Sequence, residues 1–274
     1  MAPSLRTLAR TALPFRTRRL LRKVLAETPQ RIYDLPKDGI SLLFPRAFGG
    51  PFPPPGLRSR VGGVSRREFE SVGRDGSRAI LAASEKTREP DRAYSSWLDL
   101  GCGCGRIARY VGSAPEVREL TGVDTDLRQI AWSARHLRGR FCAMREAPPL
   151  EFDAARFDVV YVVSVFTHWN EDQQFAWLAE IRRILKPGGL LIATTHSPEL
   201  SVSCPGLIWS DFRTLAERGF LAVGRGVSFN EHATFHSPEY LEREWGSTMV
   251  RRLYEPYGFV RFQDLSVWEN PREA

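Results

Sequence analysis

The stretch Trp97-Leu98-Asp99-Leu100-Gly101-Cys102-Gly103-Cys104-Gly105 constrains this 274-residue chain more than any other. It reads as a short buried strand with an acid near its end, then a turn holding three glycines. The start of a helix comes next, from Arg106. A backbone that must turn sharply and lie against a ligand needs glycine, because a Cβ would obstruct both. The carboxyl end of a strand leading into a helix N-terminus is where α/β sheets bind nucleotides.

The glycine run alone does not choose a chemistry, since Gly103-Cys-Gly105-Arg-Ile-Ala108 also satisfies the G-x-G-x-x-A pattern of dinucleotide-binding enzymes. The next segments of the chain narrow the choice. Glu119-Leu-Thr-Gly-Val-Asp124 is a second short strand ending in an acid placed to accept hydrogen bonds from two ribose hydroxyls. Phe157-Asp-Val-Val-Tyr-Val-Val163 is an apolar strand, with Ser164-Val-Phe-Thr-His-Trp169 directly after it. A helix and the turn Leu185-Lys-Pro-Gly-Gly189 lead into Leu190-Leu-Ile-Ala-Thr-Thr-His196. The predicted core is strand 96–100, helix 104–112, strand 119–124, helix 126–138, strand 140–144, strand 157–163, helix 171–185 and strand 189–195. Asp126 and Asn170 are the expected N-caps of the second and third helices. Such alternation implies a parallel sheet with helices on both faces. Helices are also expected over 65–86, where Gly73 and Gly76 weaken the middle, and over 238–245. Strands are expected over 248–254 and 261–268, joined by Glu255-Pro-Tyr-Gly258.

The order Asp-x-Gly-x-Gly-x-Gly, acidic strand end, FDVV strand, LKPGG turn and subsequent strand resembles the class I S-adenosylmethionine-dependent methyltransferases over roughly residues 95–196. SVFTHWNEDQQFAWLAEIRRILKPGGLLIATTH is similar to a bacterial subgroup associated with saccharide and secondary-metabolite pathways. The resemblance implies a Rossmann-like, seven-stranded, mostly parallel sheet with a C-terminal antiparallel hairpin and S-adenosyl-L-methionine as cofactor. It implies that Gly101, Cys102, Gly103 and Gly105 lie against the methionine and ribose part. Asp99 would help hold the methionine ammonium. Asp124, next to Thr125, would take the ribose hydroxyls, with Asp126 an alternative. Many relatives place a polar residue beside the adenine after the third strand. This chain has Cys142-Ala-Met144 there, so Met144 is read either as an adenine contact or as core. Ser164 is placed to line the methionine pocket.

An alcohol must lose its proton as it attacks, and histidine is the usual base near neutral pH. His196, His168, His236 and His232 are the candidates, against plain structural roles for each. An amine or carboxylate acceptor needs no strong base.

Composition bounds the rest. No apolar run approaches the roughly 20 residues of a membrane span. Cys102, Cys104, Cys142 and Cys204 form no C-x-x-C pair, which suits reduced thiols, a cytoplasmic setting and no structural zinc. Seven of the 39 basic residues fall within residues 1–26, which contain no acid; the remaining 32 match the 32 acids. A neutral body is not the footprint of a dedicated nucleic-acid binder. Residues 1–27 form a basic arm whose Leu20, Leu21, Val24 and Leu25 recur at helical spacing. It is read as a helix packed on the body, as a peripheral contact with an anionic membrane, or as a transit peptide.

Residues 28–64 are rich in Pro and Gly and read as a lid or linker. Residues 65–274 read as the enzyme domain, with a substrate-side insertion at 197–247 carrying aromatics suited to a small-molecule pocket. The reading is methyl transfer to a small molecule, with O-methylation of a saccharide, glycolipid or secondary metabolite first. N- or C-methylation, an NAD-dependent oxidoreductase and an inactive cofactor-binding module are the alternatives.

Overall fold

A computed structural model describes residues 51–62, 65–204, 206–224 and 233–272. The arm at 1–27, most of the 28–64 segment, and His232 lie outside the described residues. The chain divides into two compact units, residues 1–70 and 71–274.

In the first unit, a short helix α1 (Pro55–Arg58) continues as a 3-10 turn to Val61. Phe52 is buried, edge-on to Phe69 at 6.0 Å between centroids, with the Arg66 guanidinium 3.9 Å over its ring. Phe52 of the proline-rich segment is thus a packed residue and not a solvated linker residue. Helix α2 (Arg66–Thr87) begins where the Ser65 hydroxyl accepts the Glu68 N–H.

The second unit contains β1 (Ser96–Leu100), α3 (Ala108–Val111), β2 (Glu119–Asp124), α4 (Leu127–His136), β3 (Arg140–Ala143), β4 (Phe157–Val162), α5 (Glu171–Ile184) and β5 (Leu185–Thr195). Beyond these come α6 (Trp209–Arg218), β6 (Phe220–Val223), β7 (Ala233–His236), α7 (Pro238–Glu244), β8 (Val250–Phe259) and β9 (Gln263–Glu269). The large sheet has the order β3-β2-β1-β4-β5-β9-β8. Strands β1 to β5 are parallel, and the β8–β9 hairpin joins the edge antiparallel, β9 against β5.

Alternation along each strand feeds two cores. Leu98, Val160, Val162, Leu191 and Ala193 face α5 and α7 with Trp177, Ile181 and Trp245. Trp97, Val159, Tyr161, Leu190 and Ile192 face the other layer with Ile80, Val111 and Ile130. A strand buried on both faces reads as a continuous apolar run, which is why β4 and β5 are visible in the sequence. Asp126 caps α4 by accepting the Arg128 N–H, and Asn170 caps α5 in a reciprocal capping box with Gln173.

Three expectations are corrected, and one element is new. The helix after the glycine turn spans only Ala108–Val111, because the turn continues through Ile107 before helical bonding begins. The LKPGG segment is a bulge inside β5: Phe157 pairs with Leu185, and Val159 with Leu190. Lys186 at that bulge reaches Oδ1 of Asp158 at 2.9 Å, while Oδ2 accepts the Ser95 and Ser96 N–H groups. Burial pushes the Asp158 carboxyl up, but Lys186 and Ser96 outweigh it and hold it below the usual range. Glu255–Gly258 is not the hairpin turn. It lies within β8, and the chain reverses at Val260-Arg261-Phe262, with φ of +47° at Val260 and +57° at Arg261. Within the 197–247 insertion, the β6–β7 ribbon had no predicted counterpart.

The two glycines of α2 have a packing role. A Cβ on Gly73 would stand 2.6 Å from the Arg106 carbonyl oxygen, and one on Gly76 2.7 Å from both Ile107 and Phe259.

Candidate active site

Strands β1 to β5 point the same way, so their carboxyl ends share one edge of the sheet. The chain steps outward from β1 to β2 and β3, then places β4 and β5 on the other side of β1. The crevice at such a reversal is where open α/β sheets take ligands. The structure brings Asp99, the glycine turn, Asp124, Thr125, Ser164, His168 and His196 to this edge.

Gly101, Gly103 and Gly105 have φ of +82°, +55° and +73°, where a side chain is strained. A Cβ on Gly101 would also lie 2.5 Å from Cγ2 of Val165. The Gly101 and Cys102 N–H groups donate to the Val123 carbonyl at 2.8 and 2.9 Å, tying the turn to the end of β2. The side chain of Cys102 is buried, and burial with the nearby Asp99 and Asp124 charges pushes its thiol well above the usual range. It is a packing group, not a nucleophile.

Asp124 is fixed by the same turn. Its Oδ2 accepts the Gly103 N–H and its Oδ1 the Asp126 N–H, both at 2.8 Å. These two donors set the plane of a half-buried carboxylate at the sheet edge. Asp126 is committed to α4, where it accepts from Arg128 and, at 3.4 Å, from Gln129. Of the two acids, Asp124 is bonded to the glycine turn and Asp126 to the first turn of the helix.

Asp99 is buried, and Oδ2 accepts the Tyr161 hydroxyl at 2.9 Å. Burial is the main reason its carboxyl is pushed up to about 8. The Tyr161 bond and Arg106 oppose the shift, and the Asp124 charge adds to it.

Ser164 closes β4 with a left-handed φ of +58°. Its N–H donates to the Thr194 hydroxyl at 2.8 Å, and its own hydroxyl donates to Oε1 of Gln263 at 2.9 Å. Nε2 of Gln263 lies 3.2 Å from Nε2 of His196. The His196 ring stands near Phe235 and Phe262, at 5.7 and 5.8 Å. Burial, with the His168 charge, pushes its pKa down to about 4, against the backbone of Thr234.

His236 is placed differently. It is fully buried among Phe220, Tyr240 and Trp245, and its Nε2 lies 2.9 Å from Oε1 of Gln174. The Gln174 amide nitrogen donates to the Phe166 and Trp169 carbonyls, so Oε1 faces His236 as an acceptor. Burial pushes the ring down to about 3. His236, expected as one of the candidate bases, is therefore packed in the core, away from solvent. Its backbone N–H donates to the His196 carbonyl, docking β7 on the end of β5. Met144 donates its N–H to the Asp124 carbonyl at 3.0 Å and packs partly against the core.

Sequence reading missed Tyr161 and Gln263. The parallel register sets Tyr161 opposite Asp99, a pairing that strand alignment could have suggested. Gln263 opens an antiparallel strand about 100 residues from Ser164 and carries no local signal.

Residues 98–193 match the family described as "Methyltransferase domain". The chain is 32% identical over 142 residues to phthiotriol/phenolphthiotriol dimycocerosates methyltransferase 1 of Mycobacterium ulcerans, covering 50% of this chain and 52% of that protein. It is 31% identical to malonyl-[acyl-carrier protein] O-methyltransferase of Enterobacter lignolyticus, covering 39% of this chain and 41% of that one. The chain thus spans about half or less of the curated relatives it matches. A Clostridium acetobutylicum S-adenosylmethionine-dependent methyltransferase superposes with a TM-score of 0.54 at 13% identity, over 73% of this chain and 92% of that one. The PH0226 protein of Pyrococcus horikoshii gives 0.52 at 18%, over 74% and 95%. These two likenesses establish the fold.

Proposed function

We propose that this chain, whose residues 98–193 form a methyltransferase domain of the S-adenosylmethionine-dependent class I fold, transfers a methyl group to a small-molecule acceptor. One observation carries the reading: the glycine turn and the Asp124 carboxylate are built as a single unit at the β1–β2 edge, through the Gly103 bond. The unit fits the cofactor's parts. The turn permits close backbone approach, Asp124 presents acceptors to paired ribose hydroxyls, and Asp99 with Tyr161 offers an acidic site for an ammonium. S-adenosylmethionine, when bound, supplies a methyl group on a positively charged sulfur. Thr125 and Met144 lie beside the turn after β2, and Ser164 beyond β4, as further lining groups.

The finer reading is O-methylation of a saccharide, glycolipid or secondary metabolite. An O-methyltransferase among the similar proteins supports an oxygen acceptor. In this reading residues 28–64 and 197–247 select the acceptor, and residues 1–26 contact an anionic membrane from a cytoplasmic location. Liposome flotation with residues 1–26 deleted tests the membrane contact; retained flotation overturns it.

The test of function is calorimetric titration with S-adenosylhomocysteine and, in parallel, with NAD. We expect binding of the first and not the second. Asp124→Ala should weaken it by about 100-fold, as loss of two hydrogen bonds to a charged group implies. Binding of NAD alone overturns the reading.

A further inference from the structure

We propose that the opposite edge of the large sheet carries a second binding site, a basic cleft that takes the diphosphate group of a small molecule. At the amino ends of β2, β3 and β4 the surface forms a cleft of about 360 Å³. Arg118 precedes β2 and Glu119 begins it, Arg138 precedes β3 and Arg140 begins it, and Arg156 directly precedes β4. The buried Leu120 and Phe157 and the half-buried Phe152 add an apolar lining.

The charge of the cleft is one-sided. Glu119 is its one acidic lining residue, and it pairs with Arg156 at 2.6 Å. Among the described residues no carboxylate pairs with Arg118, Arg138 or Arg140. Four guanidiniums against one carboxylate leave a net charge of +3. The excess is local, because outside residues 1–26 the 32 basic and 32 acidic residues of the chain cancel. One feature opposes an anion: α4 ends at His136, close to Arg138, and a helix C-terminus carries about half a negative charge. The net cationic charge outweighs it.

The backbone spaces these groups. Arg140 is the register partner of Thr121, and the Arg118 and Glu119 N–H groups both donate to the Ser95 carbonyl at 3.0 Å. Planar guanidinium forks match phosphate oxygens in pairs. A phosphate monoester carries about −2 at neutral pH, and a diphosphate monoester, with one more ionised group, balances the cleft. The volume is that of a small-molecule site, which spans about 300–1,000 Å³, and Phe152 offers an apolar wall to an organic portion. From Glu119 to Asp124 β2 covers about 16 Å at roughly 3.3 Å per residue, so the cleft and the cofactor crevice can be filled together. The inference does not depend on the methyl-transfer reading.

The test is calorimetric titration of the full-length protein with uridine diphosphate and with inorganic pyrophosphate. We expect one bound anion per chain, with an affinity that S-adenosylhomocysteine leaves unchanged. Tighter binding of uridine diphosphate identifies an organic diphosphate as the occupant, and the reverse identifies free pyrophosphate. Residues 1–26 are also cationic, so variants place the site. Arg118→Gln, Arg138→Gln and Arg140→Gln combined should weaken binding about 30-fold, roughly threefold for each exposed contact. The three side chains are exposed, so this variant should melt with the wild type. Glu119→Gln removes the repelling carboxylate and frees Arg156, and it should tighten binding about threefold. Absence of binding by both anions, unchanged affinity in the triple variant, or competition by S-adenosylhomocysteine overturns the proposal.

Discussion

Tyr161 donates a 2.9 Å hydrogen bond to Oδ2 of Asp99 from the adjacent strand, where the two residues are register partners. The pair sits fully inside the sheet beneath the glycine turn, at the point where strand order reverses. A carboxyl there keeps its proton more readily than in water, because burial disfavours the charged form.

That placement sets a pH dependence. The Asp99 carboxyl titrates near 8 in the folded chain and at the ordinary 3.8 when exposed. Between those values the folded state binds the extra proton, so stability falls as pH rises through the window. Asp99→Asn keeps an acceptor for Tyr161 without a charge. Its melting temperature should exceed the wild type by about 3 °C or more at pH 8.5 and converge with it near pH 4. S-adenosylhomocysteine, which presents an ammonium, should bind wild type more tightly at pH 8 than at pH 6, by up to about tenfold per pH unit. Calorimetry at the two pH values decides; affinity that does not change would separate Asp99 from the ammonium.

Gly101→Ala tests the turn. The new methyl would meet Cγ2 of Val165 at a φ of +82°. Strain of this kind costs about 1–3 kcal/mol, measurable by denaturant unfolding. Gly101→Ala with Val165→Ala removes the collision but not the backbone strain, so it should recover only part of the loss.

Gly73→Ala sets helix propensity against packing. In an exposed helix the change would stabilise by about 1 kcal/mol. In α2 the Cβ would stand 2.6 Å from the Arg106 carbonyl oxygen, a backbone atom that cannot swing aside. Packing wins, and the variant should be less stable than wild type. A gain in urea midpoint would show that the backbone there yields.

His236→Ala should destabilise by about 3 kcal/mol, from the cavity and the orphaned Gln174 carbonyl. The affinity of the folded variant for S-adenosylhomocysteine should not change. His236 titrates near 3 when folded and 6.5 when exposed, so the unfolded state binds the extra proton. Stability therefore falls as pH drops from about 6.5 toward 3. Acid unfolding of wild type should show this loss, and the variant a shallower slope over the same range.

The succession of the parallel strands along the chain, the two longer helices between them, the acids at the ends of β1 and β2 and the glycine turn were legible in the residues alone. Those signals are local: alternation or continuous apolarity, a cap, a positive-φ requirement. The N-caps Asp126 and Asn170 were legible for the same reason. Features that depend on distant partners emerged only with the packed fold. The hairpin reverses at Val260–Phe262, with no glycine to mark it, while Asp264 holds the Tyr257 N–H and the Tyr254 hydroxyl. His236 and His196 look alike in the sequence, yet one is sealed against Gln174 and the other meets Gln263 at the crevice. The side-chain hydrogen-bond partners of these two rings lie 62 and 67 positions away, and no local pattern specifies them.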